Sequence, residues 1–396
     1  MAGSATTYGD SVTKNLALIC PMIGVRSETF IQQHIQGLCP GRTVVVTNGY
    51  VAKPERAWDV TCPVLAERFL TRKIRQLGLK LSVDSFYRSS FQRMKTFLEE
   101  QGVDAVLAEY LPTAWSYMQP VQELGARFYA YAHGFDLSAM YHDPLWRKRY
   151  ADFARADGVI VVNRVMMERL VSLGVASHKI HCIPCGVEVP DAPLEREAQS
   201  GPLRCLAVGR MVAKKGPLKL LESFKMAHGA MGEGHLDYIG TGPLFEQVRR
   251  YVEKNQLAHC VTLHGGLDHT SVMELMMRAE VFMQHSIVDP STGDEEGMPV
   301  AIMEAMSMSL PVVSTRHAGI PDAVLDEETG FLVDEGDCQG MAMHLCTLAA
   351  DPELRKTMGR AGWARASERF TWQRHRADLL AVMGLSNRER RFQPIP

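Results

Sequence analysis

Short apolar runs alternate with helical patterns along this chain. Residues 15–20 and 43–47 are continuous runs of mostly β-prone side chains, as expected of strands that are buried on both faces. Helical patterns, such as those at residues 90–101 and 146–156, separate most of the runs. This alternation predicts a parallel sheet with right-handed crossovers. The other strands of this first set are predicted at residues 104–108, 127–132, 158–162 and 180–183.

A polar stretch punctuated by proline and glycine interrupts the alternation, which then restarts. We predict a first Rossmann-like domain over residues 1–188, a linker over 189–202 and a second Rossmann-like domain over 203–372. The predicted fold class is α/β, with two doubly wound domains facing a cleft. Ligands of such sheets bind beyond the carboxyl ends of the strands, so functional residues are expected directly after strands. The second set of strands is predicted at residues 203–208, 235–239, 261–264, 281–285, 310–314 and 331–333.

The composition is ordinary for a globular protein and excludes several classes of function. The formal net charge is -2, which gives no electrostatic argument for a nucleic-acid partner. The first apolar run, residues 16–20, is too short for a signal-peptide core or a membrane span, so we expect a soluble cytoplasmic protein. Of nine cysteines, only Cys182 and Cys185 have CxxC spacing, and they lie in a predicted strand. Buried, reduced thiols are therefore expected.

A basic amphipathic segment at residues 67–80 allows two interpretations. It places Phe69, Ile74 and Leu77 among several cations, a pattern that can lie on anionic lipid. Such a segment is more often the solvated face of a helix packed on a core, and base rates favour that interpretation. Peripheral contact of the N-terminal domain with the inner face of the membrane stays open.

The densest group of polar residues surrounds a helix predicted to begin near Val300. Pro299 suits the first turn of a helix, and the free N–H groups around Met298 can bind anions or hydroxyls. Glu296 precedes this helix, and Glu304 lies little more than one turn inside it. Helical side chains lean toward the N-terminus, so the two carboxylates are expected to converge. The alternative is a carboxylate that only complements the helix dipole, but the other residues of the helix are apolar and a buried carboxylate needs a partner.

Two further loops follow predicted strands of the second domain. One, at residues 209–216, places Arg210 and Lys215 before a helix, where cations oppose the dipole unless an anion such as a diphosphate lies between them. The alternative is a solvated basic turn. The other loop carries Gly240 and Gly242, which permit close backbone approach and are equally usual in a strand-to-helix turn.

In the first domain, His133 and Asp136 directly follow a strand, which makes a functional and a structural histidine about equally plausible. Arg26, Ser27 and Glu28 follow the first strand, without a dinucleotide-binding glycine pattern. Neither a D-x-D pair nor a cluster with metal-ligand spacing is present in the sequence. We therefore expect no metal, with cations and helix N-termini neutralising a leaving diphosphate.

These motifs together resemble the retaining glycosyltransferases of family 4, which have the two-domain glycosyltransferase-B fold. The resemblance covers nearly the whole chain. Its most specific part is E-x7-E, here Glu296 to Glu304, and residues 27–31 look like a branch that builds exopolysaccharides and related surface glycans. The other matching segments, in family order, are Ala132-His-Gly, Gly209-Arg with Lys215-Gly, Gly240-Thr-Gly-Pro, Leu310-Pro-Val-Val-Ser-Thr and Ala318-Gly-Ile-Pro-Asp-Ala-Val.

The resemblance implies a role for each matching residue. Arg210 and Lys215 would hold the donor diphosphate, and Glu304 would bind the ribose hydroxyls. Glu296, together with the backbone of Gly297, Met298 and Pro299, would hold the transferred sugar, and His133 would contact that sugar and the diphosphate. The paired glycines often seen after the first strand are reduced here to Gly24, so the contribution of the first domain to donor binding stays open. A final helix, within residues 373–396, would cross back to the first domain.

The implied reaction transfers a hexose from a nucleotide sugar to a hydroxyl group, without a cofactor and with retained anomeric configuration. A UDP-sugar is the default donor, because no base-reading residue is identifiable. The acceptor could be a glycan, a lipid-linked glycan or a small metabolite. Two alternatives remain: a nucleotide-sugar epimerase of the same fold, and a non-catalytic nucleotide-sugar sensor.

Overall fold

The fold is described by a computed structural model, which covers residues 14–25, 28–49, 60–67, 91–195, 202–231 and 234–386. Two parallel α/β sheets confirm the predicted fold class. The basic segment for which a membrane contact was considered lies almost entirely outside the described residues. None of the helices in the described ranges is long and apolar enough to cross a membrane.

The first sheet has seven strands in the order β3-β2-β1-β4-β5-β6-β7. β1 pairs in parallel with both β2 and β4, and its six residues are almost entirely buried, which explains its continuous apolar sequence. The strand β3 was not predicted, because it is only three residues long and directly follows Pro63. The strands are β1 (Asn15–Cys20), β2 (Thr43–Thr47), β3 (Val64–Ala66), β4 (Val103–Glu109), β5 (Arg127–Tyr131), β6 (Gly158–Val161) and β7 (Ile180–Cys182).

The second sheet has six strands in the order β10-β9-β8-β11-β12-β13, and all of its neighbouring pairs run parallel. Chain order therefore reverses beside β8, with β9 on one side and β11 on the other. Such a reversal opens a crevice at the carboxyl ends of the strands. The strands are β8 (Leu203–Val208), β9 (Gly234–Ile239), β10 (Val261–Gly265), β11 (Val281–Met283), β12 (Val312–Thr315) and β13 (Gly330–Val333).

Helices connect most of the strands. The predicted helix at residues 146–156 is shorter than expected, because its α-helical part ends at Tyr150 and a 3-10 segment, Ala151–Arg155, continues it. The helices of the first half are α1 (Thr29–Gly37), α2 (Gln92–Glu100), α3 (Leu111–Gln122), α4 (Pro144–Tyr150) and α5 (Arg164–Ser172). Those of the second half are α6 (Pro217–Met231), α7 (Phe245–Lys254), α8 (His269–Arg278), α9 (Val300–Ser307), α10 (Ile320–Ala323), α11 (Cys338–Ala350), α12 (Pro352–Arg369) and α13 (Trp372–Val382).

The core of the second sheet joins its central strands to α6 and α11. Leu220 and Leu221 precede Phe224 by four and three residues on α6, and all three are buried, as are Met341 and Leu345 on α11. All nine cysteines are free thiols. Six are buried as expected, whereas three are only half-buried: Cys62, Cys182 and Cys346.

The chain divides by packing into two compact units. In its described part, the first unit draws on Met1–Tyr131, Arg155–Val159 and Leu380–Arg391, and the second on Ala132–Ala154 and Ile160–Leu379. The chain after α13 thus groups with the first unit, where the Gly384 carbonyl accepts a hydrogen bond from Lys14 Nζ (3.0 Å). His133 groups with the second unit. The linker at 189–202 stays a sequence-based prediction.

Candidate functional site

Glu296 lies in the loop between β11 and α9 and is 8% exposed. Its Oε2 atom is 2.9 Å from Lys215 Nζ, and its Oε1 atom is 3.9 Å from Lys214 Nζ. Burial alone would raise the pKa of Glu296, but the two ammonium groups outweigh burial and hold the pKa below its ordinary value. Glu296 Oε1 is buried and accepts no hydrogen bond from any residue that the structure describes. A charged atom without a hydrogen bond is costly in the free protein, and a bound hydroxyl could satisfy it.

The two lysines come from the loop after β8, in a 3-10 turn, Ala213–Lys215. Lys214 was not singled out in the sequence, yet its Nζ donates to the Glu295 carbonyl (2.9 Å) and pairs with Asp294 (3.0 Å). Lys214 thus fixes the position of the loop that carries Glu296, whereas Lys215 forms an ion pair with the Glu296 carboxylate. Arg210, from the same loop, is exposed, and the described residues offer it no ion-pair partner.

Gly240 and Gly242 lie where two backbones meet. A Cβ atom on Gly240 would lie 1.9 Å from the Gly209 carbonyl oxygen, and one on Gly242 would lie 2.6 Å from that of Met211. Both glycines also have positive φ angles, of 149° and 154°. Only glycine fits at these two positions. The turn after β9 therefore packs closely on the loop at residues 209–216, called the basic loop below.

The segment after β5 packs directly on the Glu296 loop. His133 is 9% exposed and precedes a 3-10 turn, Gly134–Leu137, and its backbone N–H donates to Asp136 Oδ2 (2.9 Å). A Cβ atom on Gly134 would lie 2.5 Å from the Gly297 nitrogen. The two segments of the chain are therefore in contact through the backbones of these glycines. The structure thus brings His133 to the loop that carries Glu296.

Polar contacts fasten this junction. Asn163 Nδ2 donates to the Gly297 carbonyl (2.7 Å), and Arg169 donates to Glu295 Oε1 (2.9 Å). Ser138 Oγ lies 2.9 Å from Asp294 Oδ1. These hydrogen bonds fix the conformation of the loop at residues 294–297. A loop that is already ordered loses less entropy when it binds a ligand.

The buried His317 accepts a hydrogen bond from the backbone of Glu296, and the sequence analysis did not select it. The Glu296 N–H donates to His317 Nε2 (3.0 Å), and His317 Nδ1 lies 2.6 Å from Glu335 Oε1. An amide N–H can only donate, so Nε2 accepts and the proton on Nδ1 points to Glu335. The signal for His317 was available in the sequence: it comes two residues after the end of β12, where a functional residue of such a sheet is expected.

Glu304 has a different partner from Glu296. It lies on α9, its side chain is 15% exposed, and its Oε1 is 3.0 Å from Nε2 of the half-exposed His269 at the start of α8. The hydrogen bond to Glu304 raises the pKa of His269. The partner that a carboxylate on this apolar helix required is therefore His269, which the sequence did not indicate.

The loop between Glu296 and α9 follows the expected course, with one shift. The helix begins at Val300, and Pro299 is the residue that precedes it rather than its first residue. Met298 is 7% exposed, and Gly297 lies against Gly134. Gly24 belongs to the first unit, where it follows β1 with a φ of 95°. Its neighbours Arg26 and Ser27 lie outside the described residues.

Comparison with protein families covers most of this chain. A model described as "Glycosyl transferases group 1" matches residues 194–365, and one described as "Glycosyltransferase Family 4" matches residues 27–190. The chain belongs to glycosyltransferase family 4. The first match contains the basic loop, both glutamates and His317, and the second contains His133.

Curated relatives of this chain include glycosyltransferases that are named for the biosynthesis of amylovoran and colanic acid. The amylovoran biosynthesis glycosyltransferase AmsK of Erwinia amylovora is 32% identical over 219 residues, which are 55% of this chain and 54% of AmsK. The putative colanic acid biosynthesis glycosyltransferase WcaL of Escherichia coli K12 is 30% identical over 222 residues, with the same coverage. The chain thus spans about half the length of the curated relatives it matches.

Solved structures support the glycosyltransferase-B fold. The structure of Anabaena Alr3699/HepE in complex with UDP matches with a TM-score of 0.73 and covers 93% of this chain and 99% of its own. Sequence identity is 14%, so this likeness concerns the fold alone.

Proposed function

We propose that this chain is a retaining glycosyltransferase, which moves a hexose from a UDP-sugar to a hydroxyl group of a glycan or small-molecule acceptor. The observation that carries the proposal is the buried Glu296 carboxylate. Among the described residues, one of its oxygens has no hydrogen-bond partner, and the carboxylate lies beside Lys214 and Lys215, at the carboxyl edge of a Rossmann-like sheet. A neutral sugar next to a diphosphate needs this combination of one acceptor and two cations.

The donor would be bound by residues from several loops. Lys215 and the exposed Arg210 would hold the diphosphate, and Gly240 and Gly242 would let the backbone approach it. Glu304 would bind the ribose hydroxyls. Glu296 would bind the sugar hydroxyls, together with the polar backbone groups near Gly297, Met298 and Pro299, while His133 would contact the sugar from the opposing segment. Gly24, which belongs to the first unit, stays a donor-binding residue predicted from the sequence alone.

Donor binding changes the state of Lys215 in this scheme. In the free protein, its ammonium group is 2.9 Å from Glu296 Oε2. A bound diphosphate would compete with Glu296 for that ammonium group, and the freed carboxylate oxygen could accept hydrogen bonds from the sugar. The ion pair therefore keeps both side chains in place until the donor arrives.

Retention follows if the acceptor attacks the face that the nucleotide leaves. The bond from C1 to the phosphate oxygen breaks, the bond from C1 to the acceptor oxygen forms, and the acceptor proton moves to the departing phosphate. Negative charge builds up on the diphosphate, where Lys215, Lys214 and Arg210 would stabilise it. Positive charge builds up on the sugar ring, beside the Glu296 carboxylate.

The choice of donor and acceptor rests on relatives. HepE binds UDP in its solved complex, and AmsK and WcaL are named for exopolysaccharide synthesis. We infer a UDP-sugar donor and a growing surface glycan, including a lipid-linked one, as acceptor. Cytoplasmic action, with peripheral contact at the inner membrane face, fits such an acceptor.

A panel of nucleotide sugars tests the proposed function. The full chain is expected to release nucleoside diphosphate from one UDP-sugar, and faster with an acceptor. Chelator-treated protein should keep most of its rate, because side-chain cations would neutralise the leaving group. Loss of activity on chelation, with rescue by magnesium or manganese, would contradict metal independence. A free epimer without nucleotide release would indicate an epimerase, and binding without turnover a sensor.

The support behind Glu296 gives a second test. His317→Phe keeps a ring of similar size but leaves the Glu296 N–H and the Glu335 carboxylate without their partner. We expect kcat to fall by about 10- to 100-fold through displacement of the loop, with affinity for UDP nearly unchanged. Steady-state kinetics and calorimetry with UDP measure the two effects.

Glu335→Gln is the control: its amide oxygen can still accept the His317 proton, and only the hydrogen bond from the exposed Val288 N–H to the second oxygen is lost. Its kcat should stay close to that of the wild type. If His317→Phe lowers only the melting temperature and leaves kcat unchanged, His317 is not a positioning residue.

A further inference from the structure

Three side chains with metal-binding atoms lie close together beside β9 and β10, at the amino ends of these strands of the second sheet. His228 lies in the last turn of α6, and His259 and Cys260 directly precede β10. Each offers one ligand atom, and these atoms all lie within 4.8 Å of one another. The residues come from two separate parts of the sequence, so only folding brings them together. The three differ in burial: His228 is half-buried, His259 is exposed and Cys260 is buried.

A hydrogen bond sets the tautomer of His259. Its Nδ1 lies 2.9 Å from the carbonyl oxygen of Gln256. A carbonyl only accepts, so Nδ1 carries the proton and Nε2 presents a lone pair. Histidines that bind metal usually donate their other N–H to a carbonyl or carboxylate in this way.

His228 supplies an independent observation. Its Nδ1 atom is buried and has no hydrogen-bond partner within the described ranges. A buried ring nitrogen without a partner is costly, and coordination to a metal ion would remove that cost. The ring lies close to that of His259, with centroids 5.4 Å apart at an interplanar angle of 64°. The two imidazoles are therefore in edge-to-face contact and are not stacked.

We propose that His228, His259 and Cys260 form a site for a zinc-class divalent metal ion. Two imidazoles and one thiolate are borderline-soft ligands, which suit zinc better than magnesium or calcium. Three protein ligands leave a fourth tetrahedral position for water. Bonds of about 2.0–2.3 Å require the ligand atoms to draw together by roughly 1 Å. His259 is exposed, so its side chain can shift without repacking of the core.

The position of the site indicates a structural role. His228 lies before β9, and His259 and Cys260 lie before β10, so all three are at the amino edge of the parallel sheet. The Glu296 site is built from loops that follow β8, β9, β11 and β12, at the carboxyl edge. A metal ion here would tie the end of α6 to the start of β10 and would not take part in glycosyl transfer.

Cobalt titration of the full chain tests the site. Metal-free protein, kept reduced, should bind one Co²⁺ ion with a thiolate-to-cobalt charge-transfer band in the near ultraviolet. Added Zn²⁺ should displace the cobalt and remove the band. In Cys260→Ser the band should be lost, and in His259→Ala metal affinity should fall by about 100-fold or more, since even the outer partners of metal ligands affect affinity by 10- to 100-fold.

Matched controls separate this site from adventitious binding. Cys62→Ser removes a half-buried thiol and His178→Ala an exposed imidazole, both elsewhere in the chain, and both variants should bind cobalt as the wild type does. If Cys260→Ser keeps the band, or if the controls lose as much as the ligand variants, the proposal is wrong. Far-ultraviolet circular dichroism of each metal-free variant shows whether it is folded.

Stability and activity then distinguish this proposal from the proposed function. Saturating Zn²⁺ should raise the melting temperature of the wild type by about 2 °C or more and leave that of Cys260→Ser unchanged. Glycosyl transfer by folded, metal-free protein should proceed at the wild-type rate. No zinc-dependent shift in the wild type would overturn the site, whatever the transfer assay shows.

Discussion

Replacing Glu296 by Gln is expected to lower kcat by about 10²–10³-fold, as when a preorganised electrostatic contact is removed from an active site. The change keeps the volume of the side chain and removes its negative charge. In the wild type, that negative charge would stabilise the sugar ring as positive charge develops on it. Lys215 and Lys214 hold the pKa of Glu296 below its ordinary value, so the wild-type carboxylate is ionised at neutral pH. Steady-state kinetics at saturating donor measure the effect.

Nucleotide binding provides the control for this variant. UDP has no sugar, and Glu296 pairs with Lys215 in the free protein. Affinity for UDP in Glu296→Gln should therefore be unchanged or higher. Glu304→Gln should do the reverse, weakening UDP binding and raising the donor KM, because a ribose contact acts equally in the ground and transition states. Equal losses of UDP affinity in both variants would contradict this division of roles.

Lys215→Met should weaken UDP binding by about 1.5–3 kcal/mol, or roughly 10- to 150-fold in Kd. Methionine preserves the apolar stem of the side chain and removes the charge. The variant should also lose stability, because Glu296 would keep only the ammonium group of Lys214, 3.9 Å away. Calorimetry with UDP and thermal unfolding measure the two losses.

Two further variants separate binding from stability. Arg210→Ala should weaken UDP binding with little change in melting temperature, because Arg210 is exposed and has no ion-pair partner in the described part of the chain. The double variant Lys215→Met/Glu296→Gln should regain stability but not UDP affinity. Unchanged UDP affinity in Lys215→Met would identify the basic loop as a solvated turn.

The preference of the chain for two α/β sheets could be predicted from local sequence. Strands such as β1 and β8 are buried on both faces, so nearly every residue must be apolar and the run is visible without tertiary information. The edge strand β3 was missed, because three residues carry no periodic signal. The helix α4 was predicted too long, since a 3-10 turn continues the same pattern of side chains.

Candidate site residues were predictable where loops directly follow strands, because the direction of a parallel sheet fixes where those loops lie. That rule selected Arg210, Lys215, Gly240 and His133, whereas the polar residues around the start of α9 indicated the segment that begins at Glu296. It does not say which side chains pair. Spacing along α9 suggested that Glu296 and Glu304 share a pocket, whereas the partners seen are the two lysines for one and His269 for the other.

The sequence by itself therefore determined most of the strands and helices and most of the loops that carry chemistry, since each depends on neighbouring residues. Tertiary structure alone decided the partners: Lys214 beneath the Glu296 loop, His317 behind its backbone, and His228 beside Cys260. These pairs join residues that are 21 to 81 positions apart. The reason is physical: hydrogen bonds and ion pairs act over a few ångströms in space, and local periodicity holds no record of which distant residues folding brings within that range.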